Sequence, residues 1–334
     1  MWKILSVITV TLIAANIGIG ESAALSLQEG LQIVTTEGWD VKIARQRELA
    51  AAAGVPLARA RRLPRIDLFG SQTILSNQPE AISTLVGTFP LSERDFITYG
   101  FTANQTLYDF GRSGSSLRAA KEGARAQSFR TAGSRNTAAL NFILAYISLL
   151  EAERLLEVTE KEITSFRIHL DNANALFDEG VVTINDVLAA DVKLADALQR
   201  NLTSKSDRDL WAARLNFMIL RPLSEAVDPE EISTVDQAGE ISINEIYLRA
   251  LNIRPDVNAL RHEIESGTAR LRAIKAERYP SIFANGGYEY QENQYRVHQD
   301  NWTLAAGIKL SLYSGGSKSA SVTRAEAELE PLIA

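Results

Sequence analysis

The sequence contains no cysteine. Disulfides, thiolate metal sites and a thioether-linked lipid on a processed N-terminus are therefore excluded, and the chain must be held by packing or by association with other chains. Histidine is scarce as well. His169, His262 and His298 stand far apart and none forms an HxxxH or HxH pair, so solvated or structural roles outweigh metal binding. Dense Lys/Arg runs are missing and the formal net charge is −6, which removes the electrostatic footprint of a nucleic-acid binder. Beyond residue 24 no apolar stretch approaches the roughly 20 residues that a spanning helix needs. Any membrane crossing must be made by strands.

What is present begins with Lys3, an apolar run from Ile4 to Ile17, and Ser22-Ala23-Ala24, small residues of the kind that flank a cleavage site. Residues 1–24 are expected to be a secretory signal peptide. A short membrane anchor is the alternative, although its core falls short of a span.

The mature part repeats itself. "LSLQEGLQIVTTEGWDVKIARQ" from Leu25 lies on "ISINEIYLRALNIRPDVNALRH" from Ile241 without a gap, an offset of 216. At that offset Ser26, Glu29, Asp40-Val41, Arg45, Arg62 and Pro64 meet Ser242, Glu245, Asp256-Val257, Arg261, Arg278 and Pro280. Leu107-Tyr108 and Gly111 meet Leu312-Tyr313 and Gly316 at an offset of 205. The difference of 11 between these offsets implies a longer strand-to-strand loop in the first copy. The expected organisation is a signal peptide (1–24), a first structural repeat (25–240) and an incomplete second repeat (241–334). Each copy should run helix, strand, loop, strand, long helix.

Period-two alternation is clearest from Trp302, where Trp302, Leu304, Ala306, Ile308, Leu310 and Leu312 alternate with Thr303, Ala305, Gly307, Lys309 and Ser311. Segments from Thr98 and from Ser281 to Tyr290 alternate likewise. Ile66 to Leu75 does so less well, because Phe69 interrupts it. Each segment has about 10 residues, the length a tilted strand needs to cross a bilayer. Tyr99, Tyr108, Tyr288, Tyr290, Trp302 and Tyr313 fall near strand ends, where interfacial aromatics belong. Alternation alone also fits an antiparallel sheet with one face in water. If the strands lie in lipid, four of them cannot close a barrel with a lumen, and several chains must share one.

The first helix should run from Leu27 to Leu63, with a kink or break at Pro56 and an end at Pro64. From Arg112 to Phe177 a proline-free helical pattern of about 66 residues implies a rod on the order of 100 Å long. Leu140, Ile143, Ile147 and Leu150 form a seam along it. A return helix of about 37 residues, Ile184 to Leu220, should pair with it. The acid-rich connection from Arg221 to Glu240 follows. Between rod and return helix lies "DEGVVTINDVL", beginning at Asp178. Gly180 suits a left-handed helix stop, and Thr183 with Asp186 suits a capping box. That turn would be stable without Val181, Val182 and Ile184, so an apolar tip is left over for a partner. The valines would otherwise serve to staple the two helices together.

Several local signals carry no chemistry. "DFG" at Asp109 lacks every companion of the kinase motif and reads as a strand end with a helix cap, and "SGGSKS" at Ser314 fails the P-loop spacing. No nucleophile, base and orienting group occur together, so no enzyme activity, catalytic residue, cofactor or metal is expected.

The stretches "LSLQEGLQ", "ARARRLPRIDLFGS", "LYDFGR", "EGVVTINDVLAADVKLADA" and "RPDVNALRHEIESGTARLRAIKAERYPSI" resemble, in order and across essentially the whole mature chain, the TolC family of outer-membrane efflux proteins. The resemblance implies a mainly α fold with a membrane β-barrel contribution. Each chain would supply a long antiparallel coiled-coil hairpin and four transmembrane strands to a homotrimer with one shared barrel and an α-helical tunnel. It further implies an outer-membrane exit duct, with its helical part in the periplasm, for a tripartite efflux or type I secretion system moving drugs or proteins. The expected partners are a periplasmic adaptor protein, an inner-membrane ABC or proton-driven transporter, and outer-membrane lipid. Gly180, Val181, Val182, Thr183 and Asp186 match the family's adaptor-contacting tip. Thr102, Asn104, Asn285 and Lys309 would face the lumen. The sequence stops at Ala334, about 20 residues into the second copy's long helix. A fragment is therefore expected, with the second hairpin and its gate outside it. The competing functional class is a periplasmic or surface coiled-coil structural protein or adhesin whose sheet lies in water.

Overall fold

A computed structural model describes residues 25–85, 87–232 and 242–334. The segment assigned to a signal peptide and residues 233–240 of the acid-rich connection lie outside these. The elements are α1 (Leu27–Glu37), α2 (Trp39–Ala60), β1 (Arg65–Ile74), β2 (Glu80–Ser83), β3 (Gly87–Pro90), β4 (Asp95–Tyr108), α3 (Arg112–Asp178), α4 (Ile184–Met218), α5 (Ile243–Ile253), α6 (Pro255–Ala276), β5 (Ser281–Gln291), β6 (Asp300–Lys309) and α7 (Ser317–Ile333).

Element bounds recur at the sequence offsets. α1 and α2 reappear 216 residues later as α5 and α6, residue for residue, and the starts of β4 and α3 reappear 205 residues later as those of β6 and α7. The turn into the long helix recurs as well: Phe110 and Gly111 have φ of 52° and 83°, and Gly315 and Gly316 have 60° and 80°. Compactness follows a different division. Among the described residues, one unit comprises 25–39 and 137–232, all from the first copy, and the other comprises 40–85, 87–136 and 242–334, drawn from both copies.

The first helix breaks at Gly38, and α2 continues through Pro56 to Ala60. Pro56 withholds one hydrogen bond from Ala52, but both positions are exposed and water can satisfy that carbonyl. At Gly38 the backbone is extended (φ −55°, ψ 145°). Its counterpart Arg254 is extended too (φ −63°, ψ 124°), because Pro255 follows it and a residue before proline is pushed out of the helical region. The signal for the break was therefore in the second copy.

In the first unit, Phe142, Tyr146 and Leu149 from α3 and Leu215 from α4 are fully buried with Leu25, Val34 and Val227. The Tyr146 hydroxyl sits 2.8 Å from the Leu25 carbonyl and 2.7 Å from that of Glu230, sharing one proton between them. Burial raises its pKa. The Leu25 N–H donates to Asp228 and the Glu230 N–H to Leu25, so the stretch just before α1 is pinned to the segment after α4. Nearby, burial also raises the Glu153 carboxyl pKa, against the opposing pull of Arg208 at 3.4 Å.

In the second unit β1, β4, β5 and β6 form one antiparallel sheet in the order β1-β4-β5-β6, whose two outer edges are unpaired among the described residues. β6 ends at Lys309, so Leu310 and Leu312 lie past the strand. The longer loop of the first copy carries an extra hairpin, β2 with β3. Below the sheet, buried Glu122 on α3 accepts from Arg125 at 3.1 Å and lies 2.9 Å from His262 Nδ1 on α6, whose ring stacks on Phe129. That accounts for one histidine as a packing and hydrogen-bond partner.

Candidate functional site

Register sorts the sheet into two chemically distinct faces. Ile66 and Leu68 stand opposite Ala103 and Phe101, Phe101 opposite Tyr288, and Tyr288 opposite Trp302, with Leu304 opposite Gly286 and Ile308 opposite Ile282. On the other face Asp67 stands opposite Thr102, Arg65 opposite Asn104, Asn104 opposite Asn285 and Ser281 opposite Lys309. Thr102, Asn104, Asn285 and Lys309 thus share the polar face.

The apolar face is uncovered. Leu68 and Leu304 are 86% and 87% exposed, and Ile66, Ile97, Trp302 and Ile308 are exposed with them. Leaving such a side chain in water forgoes about 1.5–3 kcal/mol, or roughly 10–20 kcal/mol for the six, as much as the whole stability of an ordinary domain. The face requires a cover of lipid or protein.

Aromatic rings collect at both ends of it. Tyr99 stacks on Tyr290 at 4.9 Å, and Trp302 meets Tyr288 at 5.0 Å and Phe101 at 5.8 Å. At the helix end Tyr108, Phe110 and Tyr279 form a second group, with centroids 4.8 and 5.3 Å apart. From Tyr99 to Tyr108 along β4 is about 30 Å at 3.4 Å per residue. At a tilt near 40° that becomes about 23 Å of height, close to the apolar band of an outer-membrane barrel. Among the described residues no helix is long and apolar enough to cross a membrane.

Phe69 and Phe283 sit on the polar face, which their alternation did not announce. A Cβ at Gly100 would come within 3.0 Å of the Phe69 ring, and one at Gly307 within 2.7 Å of the Phe283 ring. Each phenylalanine fills the space over the glycine directly across from it. The cross-strand glycines were the readable signal, but only once the register was known. Alternation gives no sign of Phe110 and Tyr279 either, because each lies just outside a strand.

The helical hairpin turns through a Schellman motif: the Gly180 N–H donates to Phe177 and the Val181 N–H to Leu176, both at 2.9 Å, with Gly180 at φ 72°. The Thr183 N–H and hydroxyl both donate to Asp186 Oδ2, at 2.8 and 2.7 Å. Those two bonds lower the Asp186 pKa, the hydroxyl contributing most. Val181 is 68% exposed and Ile184 50%, whereas Val182 is half-buried. Gly180, Val181, Thr183 and Asp186 therefore come together at one small exposed turn, and Val182 is the member tucked against it. No group of three or more metal-ligating side chains occurs among the described residues.

The family model described as outer membrane efflux protein matches residues 36–219 and 246–333. Nodulation protein T of Rhizobium leguminosarum bv. trifolii is 24% identical over 308 residues, covering 88% of this chain. The chain spans 62% of the length of that relative. A membrane protein from Pseudomonas aeruginosa shares the fold with a TM-score of 0.77 at 18% identity, over 92% of this chain and 72% of that one. The Campylobacter jejuni CmeC outer membrane channel does so at 0.76 and 15% identity, over 92% and 66%.

Proposed function

The chain belongs to the outer membrane efflux protein family, and from that premise we propose that it is the outer-membrane exit duct of a tripartite efflux or type I secretion assembly. The observation that carries this reading is a four-stranded sheet with an uncovered apolar face, aromatic rings at both ends and two unpaired edges. An open edge in lipid leaves backbone groups unsatisfied at several kcal/mol each, so the sheet must close with copies of itself. Three chains supply twelve strands, enough for a barrel with a water-filled lumen. The apolar face then meets lipid, and Thr102, Asn104, Asn285 and Lys309 line the exit.

In this assembly α3 and α4 extend the passage into the periplasm, and the first and second repeats, residues 25–240 and 241–334, supply equivalent parts of the wall. The turn at Gly180, Val181, Val182, Thr183 and Asp186 docks on a periplasmic adaptor coupled to an inner-membrane ABC or proton-driven transporter. The duct itself is passive, and cargo of the drug or protein class is driven by that partner.

The test uses full-length protein in outer membranes. Extraction only by detergent, a heat-modifiable trimer on gels and discrete conductance steps in planar bilayers are expected. A freely soluble monomer that forms no pore would refute the duct and favour a structural coiled-coil protein.

A further inference from the structure

We propose that the helix-side end of the polar sheet face is an anion-gathering collar, built by Arg61, Arg65, Arg112 and Lys309 over Phe283, and that the duct favours organic anions. This rests on the duct reading and adds a substrate class to it.

The four cations come from four places in the chain: the residue after α2, the first residue of β1, the first residue of α3 and the last residue of β6. They converge on one concavity of 630 Å³ that reaches across all four strands, and no acidic side chain lines it. The volume suits a small organic molecule. Arg65 is paired with Asp67 at 2.9 Å, and Arg112 lies 3.9 Å from Asp109. Arg61 and Lys309 make no ion pair among the described residues. A neighbouring cavity that Arg61 shares with Arg112 and Arg270 is lined also by Asp109 and Glu277, so there too the cations outnumber the acids. Each chain therefore leaves two positive charges uncompensated at this level, although its formal net charge is −6. A single-sign ring over a low-dielectric wall concentrates counter-ions, in the manner of the Arg/Lys rings of anion pores.

Phe283 supplies the second recognition element. It is held over Gly307 on the polar face, where an added Cβ would lie 2.7 Å from its ring, and it belongs to the lining of the same concavity. Guanidinium groups above an aromatic floor suit a carboxylate, sulfonate or phosphate attached to an apolar body.

The experiment is ion selectivity of the full-length protein in planar bilayers under a potassium chloride gradient. The wild-type protein is expected to pass chloride in preference to potassium. The double variant Arg61→Glu/Lys309→Glu should lower the chloride-to-potassium permeability ratio by about threefold or more, while Arg61→Lys/Lys309→Arg retains it. If the charge reversal prevents assembly, Lys309→Gln alone should give a smaller decrease of the same sign. Equal ratios in conducting wild-type and charge-altered channels would overturn the collar and leave the duct standing. A wild-type protein without conductance would overturn the duct, and the collar with it.

Discussion

Gly30 on α1 faces the buried ring of Phe142 on α3 so closely that a Cβ at Gly30 would lie 2.0 Å from Phe142 Cζ. The close approach of these helices depends on the missing side chain.

Gly30→Ala should therefore destabilise the protein even though alanine is the better helix former. The propensity gain is about 1 kcal/mol, against about 1–3 kcal/mol for forcing a fully buried ring to move. A net loss, read as a lower thermal midpoint of the purified protein, is expected. Gly30→Ala/Phe142→Leu should recover part of it. An unchanged midpoint for Gly30→Ala would show that Phe142 has room to move.

Val181→Asp tests the tip without disturbing the hairpin. Val181 is exposed and makes its backbone bond through the N–H alone, so the cost to stability should stay within about 0.5 kcal/mol. Crosslinking to a periplasmic adaptor should be lost while trimers persist. Val182→Asp, at the half-buried position, should lose crosslinking and also loosen the turn. Retained crosslinking in the Val181 variant would remove this residue from the docking surface.

The depressed Asp186 carboxyl makes the start of α4 pH-sensitive. Its folded pKa lies below the unfolded value, so its contribution is fully present above about pH 4 and fades as pH falls through the lower, folded value. Hydrogen exchange of the amides following Thr183, corrected for intrinsic rates, should accelerate relative to the rest of α4 on acidification below pH 4. Asp186→Asn should abolish that pH dependence. Acceleration in the variant equal to that in the wild type would assign the effect elsewhere.

Substitutions on the two sheet faces should separate cleanly. Leu304→Arg places a charge on the apolar face at mid-strand, at a cost of about 2–4 kcal/mol per chain if that face meets lipid. Thr102→Arg, on the opposite face, should be tolerated. The yield of heat-modifiable trimer in outer membranes measures both. Comparable yields would contradict a lipid-facing assignment.

Much of this architecture was legible because it is written in short-range regularities. The repeat at an offset of 216, the proline-free run after Arg112 and the alternation from Trp302 each report a local backbone preference that neighbouring residues reinforce. The hairpin turn was legible for the same reason, since Gly180, Thr183 and Asp186 act within six residues of one another. The break lies at Gly38 and not at Pro56, because an exposed proline can be accommodated in a helix and the signal for the break, Arg254-Pro255, stands in the other copy.

Sequence alone determined the period of each element, the duplication, the cap chemistry, the absence of any disulfide and, beyond residue 24, the want of an apolar run long enough to span a membrane, all of which depend on residues close together along the chain. Tertiary structure alone decided which strands are neighbours and which edges stay open. It also decided that Phe69 and Phe283 rest over glycines on the polar face, and that Arg61, Arg65, Arg112 and Lys309 converge. Those outcomes depend on register and on contacts between residues tens to hundreds of positions apart. A one-residue shift in pairing would have sent Arg65, Phe69, Phe283 and Lys309, the members that stand on strands, to the opposite face.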